Sequence, residues 1–275
     1  MNTRVFRTLE FYKIKEELAT FTLSGLGKKL VERMSPMIEV AAIAHAQQET
    51  TEARQILDRG GHPPLSGLAD IAELVERVAQ GAVLSPSDLL AVADLLRGAK
   101  RMRRYMDDKA EEAPMLSAYA YSLTDMSEIE ESILMCIEGS IVSSGASQAL
   151  KSIRQKMRII ETRIQDRLNS IISSPAYKEY LQDSFVSVKD GRYVIPIKAS
   201  FKHKLDGMVI GTSGTGSTVF IEPAAVRKLV NELQSLRGEE EAESYQVLAM
   251  LSGMIARSEE RRGRKECRSR WSPDH

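Results

Sequence analysis

The apolar positions of the chain fall into two regimes, helical spacing over most of its length and strand-like alternation in one segment. Phe11, Ile14, Leu18 and Phe21 lie on one helical face, Ser24-Gly25 interrupts it, and Leu26, Leu30 and Met34 resume it until Pro36. Residues 38–59 read as a further helix carrying Ile43, Ile56 and Leu57, and Gly60-Gly61-His62-Pro63-Pro64 reads as a loop. Leu68 to Ala79 predicts a short amphipathic helix closed by Gly81. Ser85-Pro86-Ser87-Asp88 is a helix start, with Ser85 as N-cap and Pro86 in the first turn of a helix reaching about Met106. One or two further helices fill residues 115–138, and Ser143-Ser144-Gly145 marks a boundary.

Beyond it the spacing tightens. Leu150, Ile153, Met157, Ile160, Ile164, Leu168 and Ile171 recur every three or four residues, close to a coiled-coil seam, until Pro175. At 1.5 Å per residue this helix is about 40 Å long. Alternation follows: Phe185, Val186 and Val188 lead into the hairpin signal Asp190-Gly191, and Tyr193, Val194, Ile195 and Ile197 come after it. Met208–Ile210 and Thr218–Ile221 predict two more strands around a glycine-rich turn. Past Glu222-Pro223, Val226, Leu229, Leu233, Leu236, Val247, Leu251 and Ile255 define a second long helix whose middle, residues 238–243, is too acidic to be core. Two long helices flanking a β insert are expected to run antiparallel as a stalk with the small sheet at its far end. The fold class expected is mainly α: a helical core domain, plus an antiparallel two-helix coiled-coil stalk carrying a small antiparallel β module.

Composition narrows the function. No apolar run approaches the roughly 20 residues that span a bilayer, and the N-terminus shows no secretory pattern, so no membrane partner and a cytoplasmic location are expected. Cys136 and Cys267 are too few for a disulfide framework. The 38 basic residues equal the 38 acidic ones, but residues 261–275 hold six basic side chains against two acidic ones, together with Trp271. The body is therefore slightly acidic, and any polyanion contact must be local.

The stretch Gly211-Thr212-Ser213-Gly214-Thr215-Gly216-Ser217-Thr218 approaches a phosphate loop, but Ser217 stands where the lysine belongs and a strand follows where a helix is needed. It reads as a hairpin turn. The four histidines and two cysteines show no metal-ligand spacing, and no catalytic constellation is visible, so neither a metal nor a catalytic residue is expected. Two basic clusters remain. Arg97, Lys100, Arg101, Arg103 and Arg104 crowd one helix, where they could track phosphates or simply complement the helix C-terminus, the reading favoured here. Lys189, Arg192, Lys198, Lys202 and Lys204, with His203, decorate the β module, either as a polyanion contact or as edge-strand protection.

Residues 180–198, with Ser217-Thr218-Val219-Phe220-Ile221-Glu222-Pro223 and Asn231-Glu232-Leu233, resemble the MutS family, and more closely its second bacterial type. Leu9-Glu10-Phe11 and Val83-Leu84-Ser85-Pro86 fit the same type, and the resemblance covers about residues 5–257. It implies a helical core domain (1–145), an ascending lever helix (146–180), a β clamp (181–222) and a descending lever helix (223–258). It also implies that the clamp contacts nucleic-acid backbone without reading sequence, through Lys189, Arg192, Lys198, Lys202 and Lys204. Arg97, Lys100, Arg101 and Arg104 form a secondary patch.

For the full-length family the resemblance implies homodimerisation, ATP hydrolysis with Mg, a nuclease module, suppression of recombination and rescue of collided ribosomes, with DNA or rRNA and the ribosome as partners. This chain carries no Walker motif and no nuclease module. It is therefore expected to hold no cofactor, to be inactive alone and to be a monomer, as a truncated frame whose residues 259–275 are a disordered, non-family tail; a genuine basic tail that binds nucleic acid is the rival reading of those residues. The alternative is a structural coiled-coil module for protein–protein assembly without nucleic-acid binding.

Overall fold

In a computed structural model, which describes residues 8–65 and 68–269, the chain divides into two compact units. One runs to Ser143 and resumes at Leu248, and the other is Ser144–Val247. The protein is mainly helical with a small antiparallel sheet.

The first unit contains α1 (Phe11–Thr20), α2 (Gly25–Arg33), α3 (Val40–Asp58), α4 (Ala72–Ala79), α5 (Pro86–Asp107), α6 (Pro114–Ser122) and α7 (Ser127–Cys136). A two-stranded hairpin, β1 (Ile137–Glu138) with β2 (Ile141–Val142), closes it, where helix alone was expected. Helix α4 begins at Ala72, four residues later than the apolar pattern suggested, because the Asp70 carboxylate accepts the Ala72 N–H and starts the helix there. The start of α5 is as its sequence reads: the Ser85 hydroxyl accepts the Asp88 N–H at 3.2 Å and the Asp88 carboxylate accepts the Ser85 N–H at 3.3 Å.

Helices α1 and α2 contain no fully buried residue, and Phe21, Leu23 and Leu30 are about 70% exposed. Their apolar stripes are real, but among the described residues nothing covers them completely. Helix α6 has Ala113 before it, a residue with no side chain to cap it. Glu52 of α3, only 2% exposed, takes that place: one carboxylate oxygen accepts the N–H groups of Met115 and Leu116 at 3.0 and 3.2 Å. A buried anion at a helix N-terminus satisfies orphan donors and complements the dipole.

The second unit is built on α8 (Gln148–Ser173) and the first half of α9 (Ala224–Ser269). Ser147 caps α8 by accepting the Leu150 N–H, and it donates to Glu243 at 2.7 Å. Arg154 pairs with Glu240 at 2.6 Å, Arg237 reaches Glu161 at 3.8 Å, and Arg167 donates to the Ala225 carbonyl at 2.9 Å. Numbers rising on one helix meet numbers falling on the other, so the two helices pair antiparallel.

Between α8 and α9 lie β3 (Ser187–Lys189), β4 (Arg192–Lys198), a 3-10 turn (Ala199–Phe201), β5 (Gly207–Thr212) and β6 (Thr218–Pro223), ordered β3-β4-β6-β5 with every neighbour antiparallel. The sheet is not held clear of the helices. Ile160, Ile164 and Leu168 of α8, Val226, Val230, Leu233 and Leu236 of α9, and Ile195, Ile197, Val219 and Ile221 of the sheet form one buried cluster. A sheet of short strands has too little surface to close its own core, so it takes the helices as its second layer.

Helix α9 continues to Ser269, whereas a non-helical tail was expected from residue 259. The composition break near Ser258 removes apolar periodicity, but Arg, Lys and Glu are good helix formers and extend the helix without it. Trp271 and the rest of 270–275 lie outside the described residues. Replacing Glu52 by Ala should cost about 1–3 kcal/mol, the penalty for stranding buried backbone donors, while Glu52→Gln, which keeps an acceptor, should cost less; urea unfolding followed by circular dichroism measures both.

Candidate nucleic-acid interface

Asp190 and Gly191 both take positive φ, 49° and 72°, as a two-residue type I′ turn requires. That turn sets Lys189 directly opposite Arg192. Alternation along the strands then sorts the sheet's two faces. Tyr193, Ile195, Ile197, Val219 and Ile221 turn toward α8 and α9. Lys189, Arg192 and Lys198 share the opposite face with Phe220 and Glu222.

The five candidate cations are not equivalent. The Arg192 guanidinium donates to Glu222 at 2.8 Å, and Glu222 is wholly buried. Its second oxygen, Oε1, is buried without a hydrogen-bond partner. Withdrawing Arg192 would leave an uncompensated buried carboxylate, so this arginine is committed to the sheet. The Lys189 ammonium sits 4.9 Å from the centre of the Phe220 ring and passes over Gly211, where any Cβ would collide with it. Lys198 donates to the Glu179 carbonyl at 2.9 Å.

Lys202 and Lys204 differ from these three. They lie on the connection from β4 to β5 and are exposed. The residues beside them are anchored: the Phe201 ring lies 5.0 Å from that of Tyr180, and Leu205 is buried in the shared core. With Phe201 and Leu205 drawn inward, the two lysines and His203 project outward. The glycine-rich stretch after β5 is the β5–β6 hairpin turn, in which Ser213 accepts the Thr218 N–H and Ala199 donates to the Ser217 carbonyl.

In the secondary patch, Arg97 is answered by carboxylates. Arg97 pairs with Glu130 at 3.1 Å and Asp94 at 3.3 Å, and Arg103 donates to the Leu123 carbonyl. Lys100, Arg103 and Arg104 line a cleft of about 360 Å³ that Asp107, Asp125 and Glu130 also line. The Ser127 hydroxyl and then its N–H hold the Asp125 carboxyl below the usual carboxylate range, with the Lys100 and Arg103 charges adding to the shift. Arg101 and Arg104 are exposed. Sequence reasoning found the cations but missed Glu222, Phe220 and Gly211, which decide what two of them do; the strand alternation from the Asp190-Gly191 turn was the available signal. No group of three or more His, Cys, Asp or Glu side chains that could hold a metal ion occurs among the described residues, nor any helix long and apolar enough to cross a membrane.

Arg192→Met should destabilise the second unit by about 3–5 kcal/mol, the cost of a buried carboxylate left alone, and adding Glu222→Leu should recover most of it; urea titrations of the three chains check this. Ser127→Ala should return Asp125 toward its ordinary pKa, read by NMR titration. Because that pKa is depressed, the stabilisation it reflects is present above the ordinary carboxylate value and lost as pH falls through the depressed one.

No family model matches the chain. Among curated relatives, it is 39% identical over 257 residues to a protein of Symbiobacterium thermophilum, 36% to one of Geobacillus sp. and 35% to one of Pelotomaculum thermopropionicum, each named "Endonuclease MutS2". These alignments cover 93% of this chain but 32–33% of each relative, so the chain spans about one third of their length. For the region that it spans, the similarity supports a MutS2-type assignment.

Proposed function

We propose that this chain is the nucleic-acid-embracing part of a MutS2-type protein, in which the paired helices act as a lever and the sheet as a clamp on the phosphate backbone. The observation that carries the reading is the projection of Lys202 and Lys204 from a connection whose neighbours, Phe201 and Leu205, are anchored in the core. Exposed lysines on a fixed backbone neutralise phosphates without reading bases, because an ammonium is a point charge with no fork to match a base edge. Lys189 and Lys198 share one sheet face and extend the positive surface, whereas Arg192 holds the sheet together. The ligand in this reading is DNA, branched or mismatched, or rRNA on the ribosome. ATP, Mg and nuclease chemistry are assigned to other parts of such proteins, and we assign no catalytic step to the described residues.

A second reading, assembly with another protein, draws on the apolar side chains left exposed at Phe21, Leu23, Leu30, Ile38 and Val40. It does not draw on the seam of α8, whose Leu150, Ile160, Ile164 and Leu168 are buried within the chain.

Binding to branched DNA and to an rRNA fragment should weaken steeply as salt rises. Lys202→Glu with Lys204→Glu should reduce affinity for all sequences alike and lower the salt slope by about two, measured by gel shift at several salt concentrations. Failure to bind at low salt, together with concentration-dependent self-association in sedimentation, would favour the assembly reading.

A further inference from the structure

The sheet face turned away from α8 and α9 holds an aromatic ring under a removable cation. Phe220 lies on the central strand β6, half-buried, with the Lys189 ammonium over its ring. On this face Val194, Pro196 and Glu222 are buried, while Lys189, Lys198 and Phe220 keep partial exposure, and β5 contributes Met208 and Gly211. Met208 is 42% exposed. Gly211 is the residue that leaves room for the lysine, since a side chain there would meet its ammonium.

Lys189 and Arg192, directly opposite each other on this face, differ in how firmly they are held. Arg192 cannot leave Glu222 without stranding a buried charge. The contact between Lys189 and a partly exposed ring is weak, and a phosphate oxygen is a better partner for the ammonium than a ring quadrupole is. Lys189 can therefore exchange one for the other, and the exchange uncovers the ring.

We propose that this face is a stacking platform for an unpaired nucleic-acid strand: one base lies on Phe220 while Lys189 moves from the ring to the adjacent phosphate, with Lys198 on the same face supplying further positive charge. The inference rests on the nucleic-acid reading above and adds a preference to it. A base inside a duplex has both faces covered by its neighbours, so a ring set into a sheet can stack only on a base that is unpaired or splayed out. Aromatic stacking also tolerates any base, which suits a contact that reads no sequence.

The test uses the whole 275-residue chain with short oligothymidylate, oligouridylate and a duplex of matched length, followed by fluorescence anisotropy at low and moderate salt. Both single strands should bind more tightly than the duplex. Phe220→Leu should weaken single-strand binding by about five- to a hundredfold, the range of one stacked base, and leave duplex binding unchanged, while Phe220→Tyr, which keeps a ring, should keep the preference. A strand carrying 2-aminopurine should lose emission on binding the unsubstituted chain, a readout independent of how any variant folds. Equal affinity for single strands and duplex, unaltered 2-aminopurine emission, or a Phe220→Leu chain that binds single strands as before overturns the platform while leaving the backbone-clamp reading standing. Absence of binding to any of the three at low salt overturns both.

Discussion

The second unit depends on one shared apolar core. Short strands with one exposed face cannot bury enough surface to be stable alone, and two helices paired in water need a common stripe between them. Here a single set of side chains serves both needs. Ile160, Ile164 and Leu168 on α8 meet Val226, Val230, Leu233 and Leu236 on α9, and the same cluster takes in Ile195, Ile197, Val219 and Ile221 from the sheet. The polar pairs along the helix seam, from Ser147–Glu243 to Arg167 and the Ala225 carbonyl, add register rather than bulk stability. With the sheet's inner face committed to this core and Val194 and Glu222 buried on the other, the exposed cations of the module, Lys202 and Lys204, lie on the connection to β5.

Electrostatics on that remaining surface is decided by burial more than by charge count. Arg192 and Lys202 carry the same formal charge and lie ten residues apart, yet their roles separate completely. Arg192 neutralises a carboxylate with no access to water, and a desolvated pair of this kind cannot be broken on one side cheaply. Lys202 faces solvent, where an ammonium is fully hydrated and exchanges partners freely. Lys189 lies between these limits, held by a ring that competes poorly with an anion. On α5, Lys100, Arg103 and Arg104 share their cleft with Asp107, Asp125 and Glu130, which lowers the field that a polyanion would meet there.

The first unit solves a different problem. Helix α6 lacks a capping side chain of its own, so Glu52 reaches over from α3 to serve it. The Leu84 N–H, just ahead of α5, donates to the buried Ser252 hydroxyl on α9, tying in the part of that helix that belongs to this unit. Both are long-range polar contacts in a buried setting, where a lost partner costs more than an exposed one.

Local chemistry legible in the chain determined the elements. The three- and four-residue spacing of Leu150 to Ile171, the Ser85 capping box and the Asp190-Gly191 turn each carry their own geometry in a few neighbouring residues, and each appears where its sequence places it. The five β-module cations and the resemblance over residues 5–257 were likewise legible, since charge and motif need no fold to be seen. What the sequence did not determine is anything that depends on a partner distant along the chain. The sheet's packing against α8 and α9, and the capping of α6 by Glu52 from α3, needed the tertiary structure. So did the division of the cations into held and free, because a charge's role is set by the dielectric and the counter-charge around it, and Glu222 and Phe220 reach Arg192 and Lys189 only once β6 has paired with β4.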